Sequence, residues 1–210
     1  MFRTRALSLL RYTVLTVSMV CLLGLISSAQ TAYEPTDTYQ VNYYSNALTD
    51  SLPDATVHIV NPGTAVTKLD ADGRPLNGDL CAFIYVLNND EQEVECCGCR
   101  LTPDSERTLS VDSNLLGNPF NPATVTHDGV IKVVSAPYPA NHRCRPDNEG
   151  VTPEAGLRAW ATHIQATAET EEEFAAAPLS DNELFFLQNQ CSAIYTSGSG
   201  AGICSCGYGD

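Results

Sequence analysis

Basic side chains are scarce in this sequence. Eleven Lys and Arg stand against 25 Asp and Glu, a formal net charge of −14. So negative a surface repels phosphate backbones and anionic lipid, which excludes a nucleic-acid partner. Catalytic signatures are missing as well. Around Ser199 the two glycine positions of a G-x-S-x-G elbow are held by Ser197 and Ala201. His58, His127, His142 and His163 never reach the H-x-x-x-H spacing of a helical metal site. Asp70, Asp72 and Gly73 fail as a calcium loop, because the EF-hand register puts Lys68 where the first carboxylate belongs. A turn around Asp72-Gly73 accounts for them. No internal repeat is present, and nothing calls for a cofactor or a metal.

A long uncharged apolar run occurs once, at the N-terminus. Arg3, Arg5 and Arg11 are followed by an apolar stretch over 12–26, and Ser27 and Ala29 supply the small residues of a cleavage site. This layout predicts a secretory signal peptide over residues 1–29. The rival is a retained anchor, since 12–29 is just long enough to span a bilayer. Cleavage leaves 181 residues, enough for one domain, with 8 basic residues against 25 acidic and a net charge of −17. The expected location is secreted, periplasmic or cell-surface, with no stable membrane insertion after cleavage and an extracellular or surface partner.

Cysteine, by contrast, is abundant. Cys21 leaves with the signal peptide, and eight remain: Cys81, Cys96, Cys97, Cys99, Cys144, Cys191, Cys204 and Cys206. An even number in an exported chain implies a disulfide framework. Cys97 and Cys99 repeat the i, i+2 spacing of Cys204 and Cys206, so two bridges between those segments would tie the tail to a sheet. Cys191 offers a further link from a helix. The alternatives are a thiolate metal site and a redox pair, both using the Cys96 to Cys99 cluster. Only one C-x2-C pair exists, Cys96 and Cys99, and it falls in a strand-like stretch without the helix N-terminus that activates such thiols.

Periodicity is mostly that of strands. Residues 30–54 are polar with Tyr33, Tyr39, Tyr43 and Tyr44, and read as a flexible arm or linker. As a strand, such an arm would be able to complete a neighbour's sheet edge and build a polymer. From 55 onward Val57 and Ile59 alternate with Thr56 and His58. The stretch 80–87, LCAFIYVL, is apolar on both faces, as in a buried central strand. Residues 92–101 return as its hairpin partner, with Gly98 a candidate bulge and Val94 on the face of Cys96. Strands are also expected over 107–112 and 130–136.

Ser180, Glu183, Leu179 and Leu184 form a capping box and staple that start a helix, and Gly198 stops it. Leu184, Leu187, Cys191 and Ile194 mark its apolar stripe. Residues 157–165 fit helix and strand equally, with Trp160 expected in the core. Residues 169–173, ETEEE, read as a solvated face or loop. The leader, ECCGC at 95–99, RAWATHIQ at 158–165 and GSGAGICSCG at 198–207 make the chain similar to exported cysteine-containing bacterial proteins. That resemblance implies no activity, ligand or catalytic residue.

The expectation is one domain over 55–210, mainly β: an antiparallel β-sandwich or barrel-like sheet with a C-terminal α-helix, stabilised by disulfides. Its expected function is structural or binding, in the cell envelope or extracellular space, with self-assembly among its options. A secreted hydrolase whose site is assembled by folding is the main alternative.

Overall fold

The computed structural model describes residues 38–50, 52–64, 68–69, 75–76, 78–141, 143–147, 151–165 and 168–207. The signal peptide expected over 1–29 lies outside them, as do Asp70, Asp72, Gly73 and His142. The strands are β1 (Tyr39–Tyr44), β2 (Thr56–Asn61), β3 (Lys68–Leu69), β4 (Pro75–Leu76), β5 (Leu80–Asn88) and β6 (Glu93–Leu101). They continue as β7 (Ser105–Ser110), β8 (Gly129–Pro137), β9 (Arg158–Gln165), β10 (Ala168–Glu173) and β11 (Ala175–Ala176), and helix α1 spans Asp181–Thr196. One sheet has the order β11-β1-β8-β5-β6, a second β10-β9-β2-β7, and β3 pairs with β4. Both larger sheets are antiparallel throughout, and neither closes into a barrel among the described residues.

Every residue of β5 is buried, which explains its unbroken apolar run. Leu80, Ala82, Ile84 and Val86 face Val57, Ile59, Leu109, Ala159 and Ala161 of the other sheet. Cys81, Phe83, Tyr85 and Leu87 face the opposite way, toward Leu187, Cys191 and Ile194 of α1. The five-stranded sheet is therefore the middle of three layers, apolar on both sides because both sides are covered.

Four cystines cross-link the five-stranded sheet to α1, a loop and the C-terminal tail. Cys97–Cys204 and Cys99–Cys206 tie the tail to the inner face of β6, and Cys96–Cys191 ties α1 to its outer face. Cys81–Cys144 pins a loop over β5. Their Cα separations, 5.1 to 5.9 Å, are ordinary for bridged pairs. Gly98 sits under that loop; a Cβ there would overlap the Cys144 carbonyl.

Several expectations need correction. Within the expected arm, residues 39–44 form β1, inserted between β8 and β11 with Tyr39, Gln40, Asn42 and Tyr44 buried. Its polar letters misled because the buried Gln40 amide is satisfied, donating to Leu157 O (2.8 Å) and accepting from Ala159 N (3.1 Å). Residues 158–165, equally readable as helix, are a strand; Ala159, Ala161 and His163 are its buried side chains among the described residues, and Trp160 lies outside the core. The acidic run 169–173 is exposed, as expected of a solvated face, and forms part of β10 at the edge of its sheet.

The irregularity in β6 sits at Val94, skipped between Val86↔Glu95 and Leu87↔Glu93, while Gly98 pairs regularly with Phe83. That extra residue rotates Val94 into the inner cluster, away from Cys96. At α1, Ser180 caps Glu183 N–H (3.1 Å), as a capping box requires. Glu183, however, does not close the box: its carboxylate accepts from Tyr39 OH (3.1 Å) and Lys132 Nζ (2.6 Å), joining the helix to the sheet.

Replacing Cys97, Cys99, Cys204 and Cys206 together by alanine removes both tail bridges and releases the chain beyond Cys191, which Cys96 still anchors. The expected cost is about 2–4 kcal/mol in urea unfolding, mainly from a less restricted unfolded chain. An unchanged midpoint would show that these two bridges do not hold the tail.

Candidate functional site

The sulfur atoms are committed to structure. Cys96 and Cys99 lie on opposite faces of β6 and are bonded to Cys191 and Cys206. The C-x2-C pair thus neither converges on one point nor bonds to itself; the sulfurs of Cys97, Cys99 and Cys206 do lie within 4.8 Å of one another, but each is held in a cystine.

Polar chemistry gathers instead on the outer face of the four-stranded sheet. Val57 and Ile59 of β2 point inward, so Thr56 and His58 point out. The register sets His58 opposite Thr108 of β7 and opposite Trp160 of β9. His58 Nδ1 lies 2.7 Å from Glu106 Oε1 and 3.1 Å from Thr108 Oγ1, and its Nε2 lies 3.3 Å from Thr56 Oγ1. Hydrogen bonds from His58 and Thr108 hold the Glu106 carboxyl below the usual glutamate range. The imidazole stacks on Trp160, with ring centroids 5.6 Å apart and planes within 11°.

Thr56, His58 and Glu106 thus stand in the order hydroxyl, imidazole, carboxylate. A nucleophilic site also needs donors aimed at a developing oxyanion. On the face of a continuous antiparallel sheet the amides lie in the plane of the ladder, so they cannot converge above it. Thr56 Oγ1 is also bonded to Thr162 Oγ1 at 2.8 Å. The arrangement orients these groups for contact without a main-chain oxyanion hole above them.

The array runs into a groove of about 650 Å³ along the free edge of β7, with Glu106, Arg107 and Thr108 on one side and Ser205, Cys206 and Gly207 on the other. A second groove of about 430 Å³ shares Arg107 and adds Arg100, Tyr138 and Tyr195 above the cystines. Arg100 lies over Tyr138 (4.5 Å) and Arg145 over Tyr195 (4.3 Å). Sequence reasoning placed His58 on a polar face, but the contact with Glu106 spans 48 residues and has no local signal. Of the other histidines, His163 is buried against Tyr43, ring centroids 4.0 Å apart, and burial lowers its pKa. His127 Nδ1 lies 2.6 Å from the Ala47 carbonyl.

Two buried carboxyls were also missed, although charged letters in the apolar EVECCGC strand were a signal. Glu93 lies beside the Cys96–Cys191 cystine, and neither of its carboxyl oxygens has a partner among the described residues. Burial pushes its pKa up to about 9, against the pull of Lys132. Glu95 accepts from Asn118 N–H (2.7 Å), yet burial still raises it to about 7.

Glu93 makes stability depend on pH. Between its unfolded value of 4.5 and about 9 the native state holds a proton that the unfolded chain has released. Stability should therefore fall with rising pH across that window, by up to about 1.4 kcal/mol per unit. Glu93→Gln removes this dependence: denaturant midpoints of variant and parent should coincide near pH 4 and separate progressively to pH 8, the variant being more stable. Parallel curves would show that Glu93 is solvated or paired.

No family model matches the chain, and neither the curated proteins nor the solved structures contain a match to it.

Proposed function

We propose that this chain is an exported, non-enzymatic binding or structural protein of the cell envelope or extracellular space. The four cystines point to maturation where thiols are oxidised. The observation that carries the binding reading is the outer face of the four-stranded sheet. There an imidazole, an indole, three threonine hydroxyls and a carboxylate are held in register by hydrogen bonds and stacking, on strands backed by the buried core. Rigid presentation of such groups lowers the ordering cost of contact. The hydroxyl–imidazole–carboxylate order is the one feature favouring a secreted hydrolase.

One experiment separates them. The full chain is produced in an export-competent bacterial host, its mature N-terminus sequenced, and the protein co-sedimented with isolated cell envelopes. The binding reading expects a mature chain starting at Gln30, retention on envelopes, and at least tenfold weaker retention for Trp160→Ala at unchanged Tm. A cytoplasmic, uncleaved protein, or retention indifferent to Trp160, would contradict it. Ester hydrolysis abolished by His58→Ala would establish the hydrolase instead.

A further inference from the structure

Of the four lateral edges of the two larger sheets, one is partly covered and one is short. The tail lies along β6, where Cys96 N–H donates to Gly202 O (2.8 Å) and Cys204 N–H to Cys96 O (3.2 Å), and β11 is only two residues long. The four-stranded sheet instead ends in β10 and β7, each six residues long.

Hydrogen-bond alternation shows which main-chain groups these edges present. Val111 N–H donates to Ala55 O (2.9 Å), so the mutually bonded pairs across β2 and β7 include Val57↔Leu109 and Ile59↔Arg107. The main-chain groups of Glu106, Thr108 and Ser110 therefore point away from β2. Ser110 N–H confirms this by donating to Asn114 Oδ1 (2.9 Å). Glu106 and Thr108 line the 650 Å³ groove. On the other edge, Phe174 N–H donates to Ala159 O (2.9 Å), which by the same rule turns the main chain of Glu169, Glu171 and Glu173 outward.

We propose that β10 of one molecule docks along β7 of a second copy, joining molecules head to tail into a continuous sheet. This deepens the structural reading above and rests on it. Strand direction permits the contact: in the order β10-β9-β2-β7, with every pair antiparallel, β7 runs opposite to β10. An identically oriented second copy therefore presents an antiparallel partner.

Charge selects the same pairing. Glu169, Glu171, Glu172 and Glu173 are exposed, so two β10 edges repel each other. The β7 side carries Arg107, with Arg100 beyond it in the adjoining groove and Arg145 stacked on that groove's Tyr195. Arg100 and Arg145 are 47% and 41% exposed, whereas their carboxylate partners Asp79 and Asp147 are only 7% and 11% exposed. The cationic groups face solvent and the acids lie behind them. Glu106, the acid on this edge, is engaged by His58. Such a contact joins unlike surfaces and does not close, so growth is open-ended.

Two variants of the exported protein test it by sedimentation velocity near physiological salt, from micromolar to millimolar concentration. Thr108→Pro removes an outward amide from β7, and Glu171→Lys with Glu173→Lys reverses β10. The wild type should grow in mass with concentration, and each variant should remain monomeric at unchanged Tm. Mixing the two variants should restore a dimer and nothing larger, because each retains the edge that the other has lost. A wild type monomeric throughout, a Thr108→Pro protein that still assembles, or a mixture that stays monomeric would overturn the inference. A monomer still retained on envelopes through Trp160 sinks head-to-tail docking alone and leaves the binding reading standing.

Discussion

Three cystines leave β6, and they leave it on both of its faces. Alternation along a strand sends Cys97 and Cys99 inward to the tail and Cys96 outward to α1. One edge strand thereby binds the helix layer, the sheet and the C-terminal segment into a single covalent unit. Noncovalent bonds follow the same path. Asn118 O accepts from Gly202 N–H (2.6 Å), and Ser205 N–H donates to Asn114 O (2.9 Å), so the tail is seated against the loop after β7 as well as against β6.

That seating decides where function can reside. A sandwich edge is an exposed row of hydrogen-bonding groups, and on β6 the tail takes up both main-chain groups of Cys96. The tail in turn forms one wall of the groove beside β7. The edge of the four-stranded sheet is thus left open by the same element that partly covers its neighbour. Arg107 reaches across this opening, with its guanidinium Nε and Nη2 each 3.4 Å from Arg100 O. His58, Glu106 and Thr108 stand beside it on β2 and β7, whose inward side chains Val57, Ile59 and Leu109 are buried in the core.

Where one residue type repeated a physical requirement, the sequence was readable. The run of β5 had to be apolar on both faces, the helix start carried its own cap, and the matched Cys-x-Cys spacings reflected two segments lying side by side. Legibility failed where the requirement was met by a distant partner. β1 reads as polar because Gln40 is satisfied by Leu157 and Ala159, more than a hundred residues away. β9 reads ambiguously because alanines fit inward without a strong apolar pattern, which also concealed that Trp160 faces outward. The site is assembled from β2, β7 and β9, and only strand register, invisible in the letters, brings His58 between Glu106 and Trp160.

The central claim is covalent and can be read directly. Peptide mapping by mass spectrometry of the exported protein, digested without reduction, should yield four linked pairs: Cys81 with Cys144, Cys96 with Cys191, Cys97 with Cys204, and Cys99 with Cys206. Thiol titration under denaturing conditions should find none of these eight free. A Cys96–Cys99 peptide, or free thiols on β6, would contradict the account.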